Sequence, residues 1–204
     1  MIKNKYKLVL ASASPRRKEL LGHSFLPFEI QASDIEEHSS QVDPTLFAID
    51  LAEQKAESVL ARRGLPGEII IGSDTIVVLE GEILGKPKSI DEARKMLLKL
   101  SGKEHQVVTA VNILSEDRAV SFSESTYVKF REISEDLLDL YLSTGDSLDK
   151  AGSYGIQNQS LSFIEKLNGS YSNVVGFPID RFIIELKLFL DIKVDNKGKW
   201  RELF

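Results

Sequence analysis

Apolar positions fall into short β-favouring runs alternating with stretches of helical spacing. Tyr6 to Ala11 is a short, mostly apolar run bounded by a turn signal, and it reads as a buried strand. Ser14 then suits a helix N-cap and Pro15 a first helical position, with Leu20 and Leu21 as the apolar face. Pro27 to Ala32 predicts a second strand, and Ser33 to Val42 a polar loop. Thr45 to Arg63 places Leu46, Ile49, Leu51, Ala52, Ala56, Val59 and Leu60 at helical spacing and closes on Gly64 and Pro66. Glu68 to Leu79 is strongly β, and Glu80-Gly81-Glu82 reverses it into Ile83 and Leu84. Ser89 to Glu92 reads as a capping box opening a helix that Ser101-Gly102 ends. Alternating runs from Glu104 to Leu114 and from Val120 to Arg131 predict a hairpin, followed by a helix from Ser134 to about Thr144-Gly145. A glycine-rich loop from Lys150 to Gln157, a strand from Ser162 to Leu167 and a helix from Pro178 to Leu190 complete the pattern. Lys193 to Phe204 is mostly polar and is expected to extend over the surface. Alternation giving way to a hairpin predicts a mixed α/β sheet rather than a purely doubly wound one.

The 204 residues suffice for one α/β domain with a sizeable core, or for two small lobes sharing one sheet. No apolar stretch reaches the roughly 18 residues of a membrane helix, so no membrane partner is expected. The first apolar run is too short for a signal peptide and is followed at once by charge. Zero cysteine removes disulfides, thiolate catalysis and zinc ribbons, and leaves the cytoplasm as the default compartment. A net charge of −5 without a long basic run argues against nucleic-acid binding through a broad positive face. A bound polyanion would therefore be small, with its cations concentrated locally. The three histidines lack metal-ligand spacing, so a resident metal should be hard and carboxylate-held, which points to magnesium or manganese.

The candidate chemistry begins at the first helix. Arg16 and Arg17 lie in its first turn, where cations oppose the helix dipole. With Ser12, Ser14 and free N–H groups beside them, they make sense as a polyanion site or as solvated surface arginines. Asp74 interrupts the most β-rich segment beside Gly72, which permits a bulge or close approach of a ligand. A buried acid there is a structural acceptor, a metal ligand or a general base. Lys86, between Gly85 and Pro87, and Lys55, outside the obvious apolar stripe of its helix, both read as solvated on spacing alone. Glu36 and Glu37 form an exposed acidic pair, or in a loop they share one divalent ion with Asp74. Gln157 ends the glycine-rich loop and offers both a donor and an acceptor, which suits a base edge. Neither Gly-Lys pair completes a P-loop, and no serine–histidine–acid arrangement has support.

Six segments in order resemble the Maf family of nucleoside triphosphate pyrophosphatases over about Lys7 to Leu190. They are Leu10-Ala-Ser-Ala-Ser-Pro-Arg-Arg17, Gly72-Ser-Asp-Thr-Ile-Val77, Leu84-Gly-Lys-Pro87, Leu100-Ser-Gly-Lys-Glu-His-Gln-Val-Val-Thr109, Asp149-Lys-Ala-Gly-Ser-Tyr-Gly-Ile-Gln157 and Asn168-Gly-Ser-Tyr-Ser-Asn-Val-Val-Gly-Phe-Pro178. The resemblance implies an elongated, twisted mixed sheet with flanking helices and two lobes around a central cleft, similar to inosine triphosphate pyrophosphatases. It implies a single domain over residues 1–192, with 193–204 as a tail, and cation-dependent hydrolysis of a nucleoside triphosphate to the monophosphate and pyrophosphate.

Position by position, Asp74 matches the family's general base and metal ligand, and Glu37 its second metal carboxylate. Lys86 joins them in the catalytic set, while Ser12, Arg16, Arg17 and Lys55 match residues lining the phosphate region. Arg16, Thr75 and Gln157 match the positions that separate a branch acting on dTTP and UTP from one acting on 7-methyl-GTP, and here they resemble the former. Ser73 stands where alanine is usual, and Ser153 and Asn158 where small residues are usual. A homodimer is suggested by the resemblance alone. Two alternatives stay open: a nucleotide-binding regulatory module without turnover, and a pyrophosphatase for purine or modified triphosphates.

Overall fold

A computed structural model describes residues 5–157, 159–192 and 198–204. Seven strands form one mixed sheet: β1 (Lys7–Leu10), β2 (Phe28–Ile30), β3 (Glu68–Leu79), β4 (Glu82–Leu84), β5 (Glu104–Leu114), β6 (Ala119–Phe130) and β7 (Ile164–Asn168). Their order is β2-β1-β3-β5-β6-β7, with β4 paired to β3. β1 runs parallel to β2 and to β3, with Leu10 opposite Ile30 and Ile71, whereas the β3–β4 and β6–β7 pairs are antiparallel. The helices are α1 (Pro15–Gly22), α2 (Pro44–Arg63), α3 (Ile90–Leu100), α4 (Glu135–Ser143), α5 (Tyr171–Val175) and α6 (Ile179–Phe189). The expected mixed α/β architecture is therefore present. The short α5 was not foreseen, because its five residues are too few to show a period.

The chain forms two compact units and passes from one to the other inside β3, β5 and β6. The first comprises Met1–Asp74, Ala110–Ser123 and Gly176–Phe204. Its core packs Val9 and Ala11, Ile70, and Ala56 and Val59 of α2 at zero exposure, with Leu60 and Leu114 at the margin. α2 begins on an unforeseen N-cap, Asp43, whose carboxylate accepts from Thr45 N at 2.8 Å and Leu46 N at 3.0 Å, and ends on Gly64 with φ 54°. Gly72 serves the close approach of a helix rather than of a ligand. A Cβ there would lie 2.0 Å from the Ala52 carbonyl oxygen and 2.9 Å from the Ala56 amide, so the glycine lets α2 rest directly on β3.

The final segment also departs from expectation. Residues 193–197 lie outside the described residues, but 198–204 do not trail over the surface. Lys199–Leu203 makes a 3-10 turn that buries Trp200, with Phe204 also buried. Leu203 O accepts from Tyr6 N at 2.8 Å, and Arg201 Nε donates to Ser24 O at 3.1 Å. Two aromatic side chains outweigh the polar composition around them, since burying each is worth roughly 1.5–3 kcal/mol.

The second unit comprises Thr75–Thr109 and Glu124–Val175. α3 shows the expected cap: Ser89 Oγ accepts from Glu92 N at 3.2 Å, while Glu92 turns back to Lys88 N at 2.8 Å. An aromatic cluster of Phe130, Phe163, Tyr141, Tyr154 and His105 packs edge to face. His105 Nε2 lies 2.6 Å from the Tyr154 hydroxyl, which ties the glycine-rich loop to β5. Burial pushes the His105 pKa down to about 4 from 6.5. Above pH 6.5 the imidazole is neutral folded or unfolded and stability is unaffected. As pH falls from 6.5 toward 4, only the unfolded chain takes up a proton, so stability is lost. His105→Gln is therefore expected to lose about 2–3 kcal/mol less stability than the wild type between pH 7 and about pH 4.5, measured by urea unfolding at both values.

Candidate active site

The first unit gathers six of the nine predicted site residues. α1 starts as its sequence dictates, with Ser14 Oγ capping Arg17 N at 3.4 Å and Pro15 at the first position. Its first turn carries no acid, only Arg16 and Arg17. Arg17 donates through Nε to the Gly176 carbonyl at 3.0 Å and through Nη1 to Ser12 Oγ at 3.4 Å. Burial pulls the Arg17 pKa down; Asp74 and Glu37 push it back up, and Arg16 pulls it down again. Both carboxylates and Arg16 therefore act electrostatically on the same guanidinium.

Asp74 is buried in β3, as its position in an apolar strand requires. Lys55 donates to Asp74 Oδ1 at 2.6 Å and pairs with Glu37 Oε1 at 3.0 Å. The lysine is itself buried, contrary to the solvated reading. Ala48, Leu51, Ala52, Lys55, Ala56 and Val59 are the buried residues of α2, so Lys55 does belong to the inward stripe. A lysine on that face survives burial because two carboxylates receive it. Glu37, on the 33–42 loop, keeps a side-chain exposure of 45%, and Glu36 stays exposed. The hydroxyl of Ser73 is buried without a hydrogen-bond partner, and the strand's alternation turns it away from Asp74.

The other three predicted residues belong to the second unit. Thr75 Oγ1 lies 3.0 Å from Thr109 Oγ1, which donates to the Asn173 carbonyl at 2.9 Å. Asn173 Nδ2 in turn donates to Val107 O at 3.1 Å and Thr126 Oγ1 at 2.9 Å. Thr109, the partner of Thr75, and Asn173 behind it were missed, although a threonine inside the apolar run from Val107 to Val111 was the available signal. Lys86 is exposed, and the Gly85 carbonyl before it accepts from Gly152 N at 3.0 Å. Gln157 is half-buried at the end of the glycine-rich loop. Lys150 of that loop is not available to a ligand: its ammonium binds the Asp146 carbonyl at 2.6 Å and the carboxylates of Asp146 and Asp149 at 2.7 Å each.

In chemical terms the first unit offers an acid inside a sheet, a second acid on a loop, a buried lysine joining them, and an arginine that feels their charge. Such a grouping combines two hard oxygen donors with two cationic groups able to receive an anion. The fold resembles a HAM1 protein from Coxiella burnetii, with a TM-score of 0.55, 12% identity, and coverage of 90% of this chain and 99% of that one. The Maf-like protein family matches residues 7–189, and the chain belongs to that family. A dTTP/UTP pyrophosphatase of Pyrococcus abyssi is 50% identical over 179 residues, 88% of this chain and 94% of the relative. A dTTP/UTP pyrophosphatase of Bacillus cereus is 47% identical over 191 residues, 93% and 98% of the two chains. Among the described residues no helix is long and apolar enough to cross a membrane.

Proposed function

We propose that the protein hydrolyses dTTP and UTP to the nucleoside monophosphate and pyrophosphate in the cytoplasm. The observation that carries this reading is the convergence of Asp74 and Glu37 on Lys55, with Arg17 within their electrostatic field. The names of relatives at 47–50% identity support the substrates. Arg16, Thr75 and Gln157, the residues matching the family's dTTP/UTP branch, support the same choice of base.

The donor set fits a divalent cation. Both carboxylates reach one ammonium nitrogen, at 2.6 and 3.0 Å, so their oxygens can share a single small cation. No cluster of three or more histidine, cysteine, aspartate or glutamate residues forms a closed cage among the described residues. Asp74 and Glu37, two hard carboxylates, would hold magnesium or manganese. When bound, such an ion lowers the pKa of a water and polarises the phosphoryl oxygen it meets.

The protein's own groups do the rest. Asp74 accepts the proton of the water that attacks the α-phosphate, and Lys55 holds that carboxylate in place. Arg16 and Arg17 at the start of α1 bind the phosphate tail and offset charge on the departing pyrophosphate, each charge-assisted bond contributing roughly 1.5–3 kcal/mol. Ser12 fixes the Arg17 guanidinium. Lys86 is assigned to the polyphosphate, and Thr75 and Gln157 to the base, on the family resemblance.

Pyrophosphate release from dTTP, UTP, CTP, ITP and 7-methyl-GTP, with UTP binding followed by calorimetry, tests the proposal. Turnover is expected to be highest on dTTP and UTP. Binding without product would identify a regulatory module, and preference for ITP or 7-methyl-GTP a different branch.

A further inference from the structure

We infer that Gln54, with Asp50 and Ser39, positions Glu37: α2 grips the loop on both sides of that carboxylate and so delivers it to Lys55 and Asp74. This rests on the role proposed for Glu37 above. The loop from residue 33 to 42 has no regular structure, and Glu37 is half-exposed on it. A carboxylate on such a segment would sample many positions unless its backbone were held.

Two clamps hold it. On the C-terminal side, Gln54 Nε2 donates to the His38 carbonyl at 2.8 Å and to Asp50 Oδ1 at 2.8 Å. Ser39 Oγ donates to Asp50 Oδ2 at 2.5 Å and accepts from Gln41 N at 3.2 Å. On the N-terminal side, Arg62 donates to the Ala32 carbonyl at 2.8 Å and pairs with Asp34. Residue 37 thus lies between attachments to one helix, the helix that also supplies Lys55.

The orientation of the Gln54 amide is forced. Both of its protons are used, one on a carbonyl and one on a carboxylate, and a flipped amide would set its oxygen against both. Asp50 and Gln54 stand one turn apart on α2, so the bond between them braces the pair. The bond to His38 is to its backbone, so the identity that matters is at 54, 50 and 39, not at 38. None of these three side chains is part of the core. Outer partners that hold a metal-binding carboxylate typically change metal affinity about 10–100-fold when removed.

The test is a double-mutant cycle on the full chain, with Mn²⁺ alone as the probe and free ion read by electron paramagnetic resonance. Gln54→Ala is expected to weaken Mn²⁺ binding roughly 10-fold when Glu37 is present and by less than about 2-fold in a Glu37→Gln background. Ser39→Ala should act in the same direction, and Ser39→Thr, which keeps the hydroxyl, should restore binding. Where Glu37→Gln binds the ion too weakly to titrate, UTP turnover of the same four proteins reads the cycle. Equal factors in both backgrounds, or wild-type Mn²⁺ binding by Gln54→Ala, would overturn the inference while leaving the proposed reaction intact. Glu37→Gln behaving as wild type in both binding and turnover would instead remove Glu37 from the proposed reaction, and the inference with it.

Discussion

Asp74→Asn is expected to lower pyrophosphate release from UTP and dTTP on the order of 10²–10⁴-fold while nucleotide binding stays measurable. The substitution keeps the shape of the side chain and an oxygen that can still accept from Lys55, now 2.6 Å away. It removes the basic group and one unit of negative charge. Lys55 retains Glu37 at 3.0 Å, so the buried ammonium is not left without an anion. The fold should therefore persist, with a lowered melting temperature because one partner of a buried pair is weakened. Turnover near wild type in a folded Asp74→Asn protein would show that another group takes the proton.

The second large effect is expected at a residue that touches no substrate. Gly72→Ala puts a methyl 2.0 Å from the Ala52 carbonyl oxygen and 3.0 Å from the Ala56 Cβ, contacts that only a displacement of α2 can relieve. Overpacking typically costs about 1–3 kcal/mol and occasionally more, and rigid backbone on the far side places this case at the upper end. Thermal unfolding should move down by roughly 6–12 °C. Activity should fall further than stability alone explains, because Lys55 is the neighbour of Ala56 on the helix that must shift. Gly85→Ala is the control: a Cβ there meets nothing within 4 Å, so little change is expected.

Most of the fold was legible in the sequence because its elements announce themselves locally. The periodic run before Gly64, the alternation from Glu104 onward, and the caps at Ser14 and Ser89 each gave an element within a residue or two of its observed bounds. Asp74 was visible as an acid where strand chemistry disfavours one. Lys55 was not, because a charged residue is read as leaving the apolar stripe, and only its two carboxylate partners explain why it stays. Those partners are 18 and 19 residues away in sequence, beyond any local pattern. Gly72 was noticed for the right reason, an absent side chain, but matched to the wrong neighbour, since a helix backbone and a ligand call for the same space. The terminal aromatic residues were misjudged for a similar cause: composition averaged over residues 193–204 hides two anchors.

The division of the chain into units has a consequence for biosynthesis. The second unit is complete once residue 175 has emerged from the ribosome, although it comes from the middle of the sequence. The first unit, which holds Asp74, Glu37, Lys55 and Arg17, still lacks Gly176–Phe204 at that moment. The carbonyl that receives Arg17 belongs to Gly176, the first residue of that missing piece. Long-range closure of this kind is slow, so the nascent protein should make the contact between Arg17 and Gly176 last, after translation has passed every residue of the other half.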